Sequence, residues 1–142
     1  MNYLIIGYGN TLRSDDGVGY QIAEIVADWN LPGVKSISCH QLTPELAADM
    51  AEAKVVIFVD ATIESLSAIT VNPLEPEDIQ GNLNHHTNPR SLLSLTQAIY
   101  GYVPTAYSIA IPGVNFAFGE QLSPSTVAAM KEALEKIKSL CL

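Results

Sequence analysis

Strand-like and helix-like patterns alternate along this sequence from end to end. That alternation predicts an α/β fold: a single three-layer domain over residues 1–142, with a mostly parallel central sheet of about five strands and helices on both faces. Charged residues make up only 15% of the chain and mean hydropathy is positive, as expected of elements packed on two faces rather than one. A chain of 142 residues is long enough to bury a core without a disulfide or a structural metal.

The apolar run Tyr3 to Ile6 reads as the first strand. Val18, Ile22, Ile25, Val26 and Trp29 then fall on one helical face, so a first helix is expected to begin near Ser14 or Asp15, either of which can cap it. Pro32-Gly33 makes a turn into a second strand, Val34 to Cys39. Thr43 and Pro44 supply a cap and a first helical residue for a second helix. "VVIFVD", Val55 to Asp60, is continuous and β-branched, the pattern of a strand buried on both faces.

"AITV", Ala68 to Val71, reads as a short peripheral strand, followed by a long surface connection through "NPLEPEDIQGNLNHHTNP" that has room for a short helical turn. Asn88-Pro89 then opens a helix whose apolar side is Leu92, Leu95 and Ile99 and which Gly101 ends. "TAYSIAI", Thr105 to Ile111, is the last strand. The final helix starts at Ser123-Pro124, with Val127, Met130, Leu134, Ile137 and Cys141 at helical spacing.

Seven basic against fifteen acidic side chains give a net charge of -8, which repels nucleic-acid phosphates and anionic headgroups; neither a nucleic acid nor a membrane surface is an expected partner. The first residues run into a strand without a basic leader or cleavage site, and no apolar stretch reaches the roughly 18 residues of a membrane span, so a cytoplasmic protein is expected. Cys39 and Cys141 lack the spacing of a zinc site and read as ordinary reduced thiols.

"GYGNTLRSDDGVG", Gly7 to Gly19, invites comparison with a dinucleotide-binding turn, G-x-G-x-x-G. Gly7 and Gly9 fit, but Leu12 stands at the third glycine, and Asp15 and Asp16 would face incoming phosphates at close range. Carboxylates at a helix start are held ionised by the helix dipole and by free amides, and so can bind a cation. The same residues can equally serve as helix caps.

Ligands of parallel α/β sheets sit beyond the carboxyl ends of the strands. In this chain strand one leads to Asp16, strand two ends at Cys39-His40, strand three ends at Asp60, and the loop before the third helix carries His85 and His86. Asp16, Asp60 and His86 form an oxygen and nitrogen set suited to a divalent transition metal with open positions for water. Taken singly, Asp60 is explained as a turn residue and His86 as a loop histidine; their coincidence at strand ends is what points to a site.

Three segments, "IIGYGNTLRSDDGVG", "VVIFVDAT" and "HHTNPRSLL", resemble in order and spacing the signature segments of the hydrogenase maturation endopeptidases. The first is the most specific, through Gly7, Gly9, Asn10, Leu12, Asp15, Asp16 and Gly19. The resemblance implies an endopeptidase that removes a C-terminal extension from the precursor of a nickel-iron hydrogenase large subunit after nickel insertion. It implies that Asp16, Asp60 and His86 are the catalytic, nickel-contacting set, with nickel presented by the precursor. His86 fits the spacing to Pro89 better than His85 does.

One departure stands out. Where many members carry an Asp-Gly-Gly type turn after the second strand, this chain reads "CHQLTPEL", with Cys39, His40 and Gln41 in those places. His40 is therefore either a site residue or a strand-end packing residue. Asp15, adjacent to Asp16, is a candidate for support of the site or for water activation.

Three other readings compete: a nucleotide-dependent enzyme built on Gly7 and Gly9, a noncatalytic nickel-binding or hydrogenase-assembly module, and an α/β domain whose acidic loops carry no chemistry. Melting-temperature shifts with nucleotides test the first, and metal or precursor binding without cleavage distinguishes the second.

Overall fold

A computed structural model describes residues 1–78 and 88–142. Its strands are β1 (Tyr3–Tyr8), β2 (Val34–Cys39), β3 (Val55–Thr62), β4 (Thr70–Leu74) and β5 (Thr105–Pro112), and its helices are α1 (Val18–Asp28), α2 (Leu46–Met50), α3 (Pro89–Tyr100) and α4 (Pro124–Cys141). The five strands form one sheet in the order β2-β1-β3-β5-β4. The β1·β2, β1·β3 and β3·β5 pairings are parallel and β4 runs antiparallel to β5. The expected mostly parallel five-stranded sheet is what the chain forms.

Side-chain alternation along the strands divides the core into two layers. Leu4, Ile6, Val56 and Phe58 pack with Leu46, Met50, Leu92 and Leu93 of α2 and α3. Ile5, Ile57, Val59, Ile109 and Ile111 pack on the other face with Val18, Ile22 and Val26 of α1 and Ile137 of α4. Helices therefore cover both faces, as the apolar runs require.

Several boundaries differ from the sequence expectation. β1 continues through Gly7 to Tyr8 and β3 through Asp60 to Thr62. β4 spans Thr70–Leu74 rather than Ala68 to Val71, and Pro73 is tolerated because β4 is an edge strand. The chain at Ser14–Gly17 forms a single 3-10 turn, and α1 begins only at Val18 with no side-chain cap. Thr43 does not cap α2, which is five residues long and starts at Leu46.

α3 begins as its sequence foretold, with Asn88 and Ser91 in a reciprocal capping box, Pro89 at the first position and Gly101 closing it at φ 66. Leu92 and Leu95 are buried, but Ile99 is exposed. On α4 the centre of the buried face is Thr126, Ala129, Ala133 and Ile137. Val127, Met130, Leu134 and Cys141 flank it and are only partly buried. The connection's central residues, 79–87, and with them His85 and His86, lie outside the described residues.

A candidate acidic site at the carboxyl edge of the sheet

The site grows out of the pairing of β1 with β2 and β3. Tyr8 is opposite Cys39, and Gly7 is opposite Val59, so the next residues, Tyr8 at the end of β1 and Asp60 near the end of β3, share one face of adjacent strands. After β1 the chain must double back to begin α1 beneath the sheet. Gly9 makes this possible: at φ +150 its position is occupied so closely by the backbone of Asp16 that a Cβ would lie 1.9 Å from the Asp16 carbonyl oxygen. The Gly9 amide donates to Cys39 O at 3.1 Å, which ties the turn to the end of β2.

Gly7 and Gly19 serve helix packing. A Cβ on Gly7 would lie 2.0 Å from Gly19 O, and one on Gly19 would lie 2.4 Å from Val59 O. α1 thus approaches the sheet backbone to backbone, the role the third glycine has in a dinucleotide fold. The amide that a phosphate would need is already engaged: Asn10 N–H donates to Asp16 Oδ2 at 2.8 Å. The nucleotide reading loses its cradle to a carboxylate.

Asp16 and Asp60 line one cleft of about 250 Å3 together with Tyr8, Gly9, His40, Gln41 and Leu42. Asp60 Oδ1 accepts the Ala61 amide at 2.8 Å, and Tyr8 lines the same cleft beside it. Each aspartate is therefore oriented by one backbone amide and keeps a second oxygen for another partner. Burial, reinforced by the nearby charge of Asp16, pushes the Asp60 carboxyl up to about 6 against the lowering effect of the Ala61 amide and the Tyr8 hydroxyl. Burial and then the Asp60 charge push the Tyr8 phenol well above its ordinary value, so it stays neutral.

Asp60 feels the charge of Asp16 across the cleft, so two carboxylates share one partly desolvated opening. Among the described residues no group of three His, Cys, Asp or Glu side chains is arranged to hold a metal ion. Cys39 adjoins the site, and burial raises its thiol above the ordinary value.

His40 lies at the mouth of the cleft and its ring packs on Tyr20 of α1, with centroids 5.2 Å apart. It belongs to the cleft lining and also packs at the strand end. Tyr8 and Leu42 are the lining residues that the sequence motifs do not single out. For Tyr8 the signal was present, since extending the alternation Leu4, Ile6 by two residues puts Tyr8 on the face that carries Phe58 and Asp60.

Of the two roles its position suggested, Asp15 takes support of the site and not water activation. It is completely buried, and its Oδ2 accepts Val114 N at 2.9 Å, Asn115 N at 2.9 Å and Ser123 Oγ at 2.8 Å, while Oδ1 accepts Ser123 N at 2.7 Å. Burial alone would raise this carboxyl; the amides of Ser123, Val114 and Asn115 and the Ser123 hydroxyl overcome that and hold it below the ordinary range. With its oxygens so occupied and no exposure, Asp15 cannot activate water. It clamps the loop after β5 to the turn that carries Asp16.

Neighbouring bonds complete the clamp. Ser14, at φ 52, donates from its amide to Gly119 O at 2.8 Å and from its hydroxyl to Ala117 O at 2.8 Å. Gly119 N–H donates to Leu12 O at 2.8 Å. The left-handed Ser14 is a strained conformation kept by these partners.

Fold and cleft together define a three-layer α/β protein with a paired-carboxylate site beyond its parallel strands. Comparison with protein-family models finds no match, and comparison with curated proteins finds none. Comparison with solved structures does find likenesses of shape over nearly the whole chain. The [NiFe] hydrogenase maturation protease HycI from Thermococcus kodakarensis KOD1 is 21% identical, with a TM-score of 0.77 over 99% of this chain and 92% of that one. The hydrogenase maturating endopeptidase HybD from E. coli is 20% identical, with a TM-score of 0.77 over 99% and 91%. The hydrogenase 2 maturation peptidase from Thaumarchaeota archaeon SCGC_AB-539-E09 is 22% identical, with a TM-score of 0.74 over 99% and 97%. The chain has the fold of the hydrogenase maturation proteases.

Proposed function

We propose that this protein is a cytoplasmic endopeptidase that removes the C-terminal extension of a nickel-iron hydrogenase large-subunit precursor after nickel insertion. The observation that carries the reading is the pair Asp16 and Asp60 in one cleft, each oriented by a backbone amide, in a fold shared with proteins named as hydrogenase maturation proteases. Two of the three sequence segments that resemble the family supply these same two aspartates.

In this reading the nickel is part of the substrate. Asp16 and Asp60 offer it their remaining oxygens, and His86, which lies outside the described residues, is the third contact. Gripping the ion brings the adjoining peptide bond into the cleft, a gain of positioning rather than of new chemistry. Hydrolysis then adds water across the amide, hydroxyl to the carbonyl carbon and proton to the leaving nitrogen. The Ala61 amide keeps Asp60 oriented. No helix among the described residues is long and apolar enough to cross a membrane.

The experiment is a cleavage assay with nickel-loaded precursor and three proteins: wild type, Asp16→Asn and His86→Ala. Asn retains an acceptor for the Asn10 amide, so Asp16→Asn keeps the turn but loses charge. Wild type is expected to release the C-terminal peptide, and both variants, folded as judged by melting, to lose at least about 100-fold in kcat/KM. Full activity in either folded variant removes that residue from the site; no cleavage by wild type, with precursor still bound, favours the assembly-module reading.

A further inference from the structure

Four large apolar side chains are left exposed on the loops at the carboxyl edge of the sheet: Leu12 at 47%, Ile63 at 81%, Val114 at 71% and Phe118 at 88%. They come from three separate segments that the backbone stitches together. Gly119 N–H donates to Leu12 O at 2.8 Å, placing Phe118 beside the opening turn, and Gly113 N–H donates to Thr62 O at 3.0 Å, placing Val114 beside Ile63. The Asp15 carboxylate fixes Val114 through its amide and leaves the Val114 side chain outside. The loops are rigidly held, yet they present side chains that a folded protein ordinarily hides.

The patch adjoins the acidic cleft, because Leu12 belongs to the turn that carries Asp16 and Ile63 follows the strand that carries Asp60. Four exposed apolar side chains on adjoining loops beside a cleft are more than scattered apolar residues explain. A second copy of this chain is a poor occupant, since a symmetric contact would bring two acidic clefts together. A complementary surface carries apolar side chains around a positively charged centre.

We propose that Leu12, Ile63, Val114 and Phe118 form a docking rim that holds the body of the precursor protein, so that the precursor is bound whether or not it carries metal. This rests on the function proposed above and adds to it that recognition and licensing are separate: the rim supplies affinity for the polypeptide, and Asp16 and Asp60 act on the metal once it has docked.

The test uses the full chain, the nickel-free precursor and the nickel-loaded precursor. Binding of nickel-free precursor is measured by titration calorimetry for wild type, for the double variant Leu12→Ser/Phe118→Ser, and for Ile99→Ser, an exposed apolar residue of α3 outside the rim. Wild type and Ile99→Ser are expected to bind nickel-free precursor equally, and the double variant roughly tenfold or more weakly. With loaded precursor, the double variant is expected to raise KM by a similar factor and keep kcat within about twofold. Failure of wild type to bind nickel-free precursor, or equal binding by the double variant, overturns the rim. Loss of binding in the double variant with no cleavage of loaded precursor by wild type leaves the rim standing and overturns the endopeptidase.

Discussion

Asp15 and Ser123 lie 108 positions apart and are joined by two hydrogen bonds, from the Ser123 amide to Oδ1 at 2.7 Å and from its hydroxyl to Oδ2 at 2.8 Å. This contact connects the turn before α1 to the start of α4. It makes a buried carboxylate the keystone of the site's outer wall, one residue from the aspartate proposed to meet the substrate.

Asp15→Asn is expected to destabilise the protein by about 2–4 kcal/mol, because an amide NH2 in place of either oxygen faces N–H donors with nothing to accept them. Because the folded-state carboxyl lies below its ordinary value, its stabilisation is present above the unfolded-state value and is lost as pH falls through the folded one. Denaturation of wild type and Asp15→Asn across pH 2 to 7 should therefore show a difference that is largest near neutrality and shrinks on acidification. A constant difference contradicts the clamp.

Asp60 carries the opposite linkage. Its carboxyl is raised from 3.8 to about 6, so the fold is favoured below the ordinary value and loses that contribution as pH rises toward 6. Asp60→Asn keeps an acceptor for the Ala61 amide and removes the buried charge. It should gain on the order of 1 kcal/mol in stability at pH 7, after discount for partial exposure, match wild type near pH 3, and fail to cleave. Chemical denaturation at the two pH values checks the first part, and a less stable variant at pH 7 would contradict the account of the raised carboxyl.

Gly19→Ala tests the close approach of α1. Helix propensity alone favours alanine by about 1 kcal/mol. The new Cβ, however, would meet Val59 O at 2.4 Å and Tyr8 O at 2.7 Å, both of them backbone. The expected outcome is a net loss of about 2 kcal/mol or more, read as a melting temperature several degrees lower. A stabilised protein would mean that helix and strand are not in contact there.

The parts of the fold that depend on local chemistry were legible in the sequence. Val55 to Val59 could only be a doubly buried strand, and Asn88, Pro89 and Gly101 each marked a helix end with a side chain or backbone requirement of its own. What escaped depended on distant partners. Asp15 reads as a cap because nothing nearby reveals Val114 or Ser123. β4 was displaced because Asn72 and Pro73 are poor strand residues that an edge position tolerates. The α4 face is centred on Ala129 and Ala133, small residues that apolar periodicity weighs lightly.

The pairing of Asp16 with Asp60 was legible for a topological reason: parallel neighbours β1 and β3 must bring their following residues to the same edge. Tyr8 is less so, because the apolar run that marks the strand stops at Ile6.

The central claim is that cleavage depends on nickel carried by the precursor. The most direct measurement is mass spectrometry of nickel-loaded and nickel-free hydrogenase large-subunit precursor, each incubated with this protein under the same conditions. Loss of one defined C-terminal peptide from the loaded precursor alone is the predicted result. Equal cleavage of both forms, or of neither while a complex forms, would contradict it.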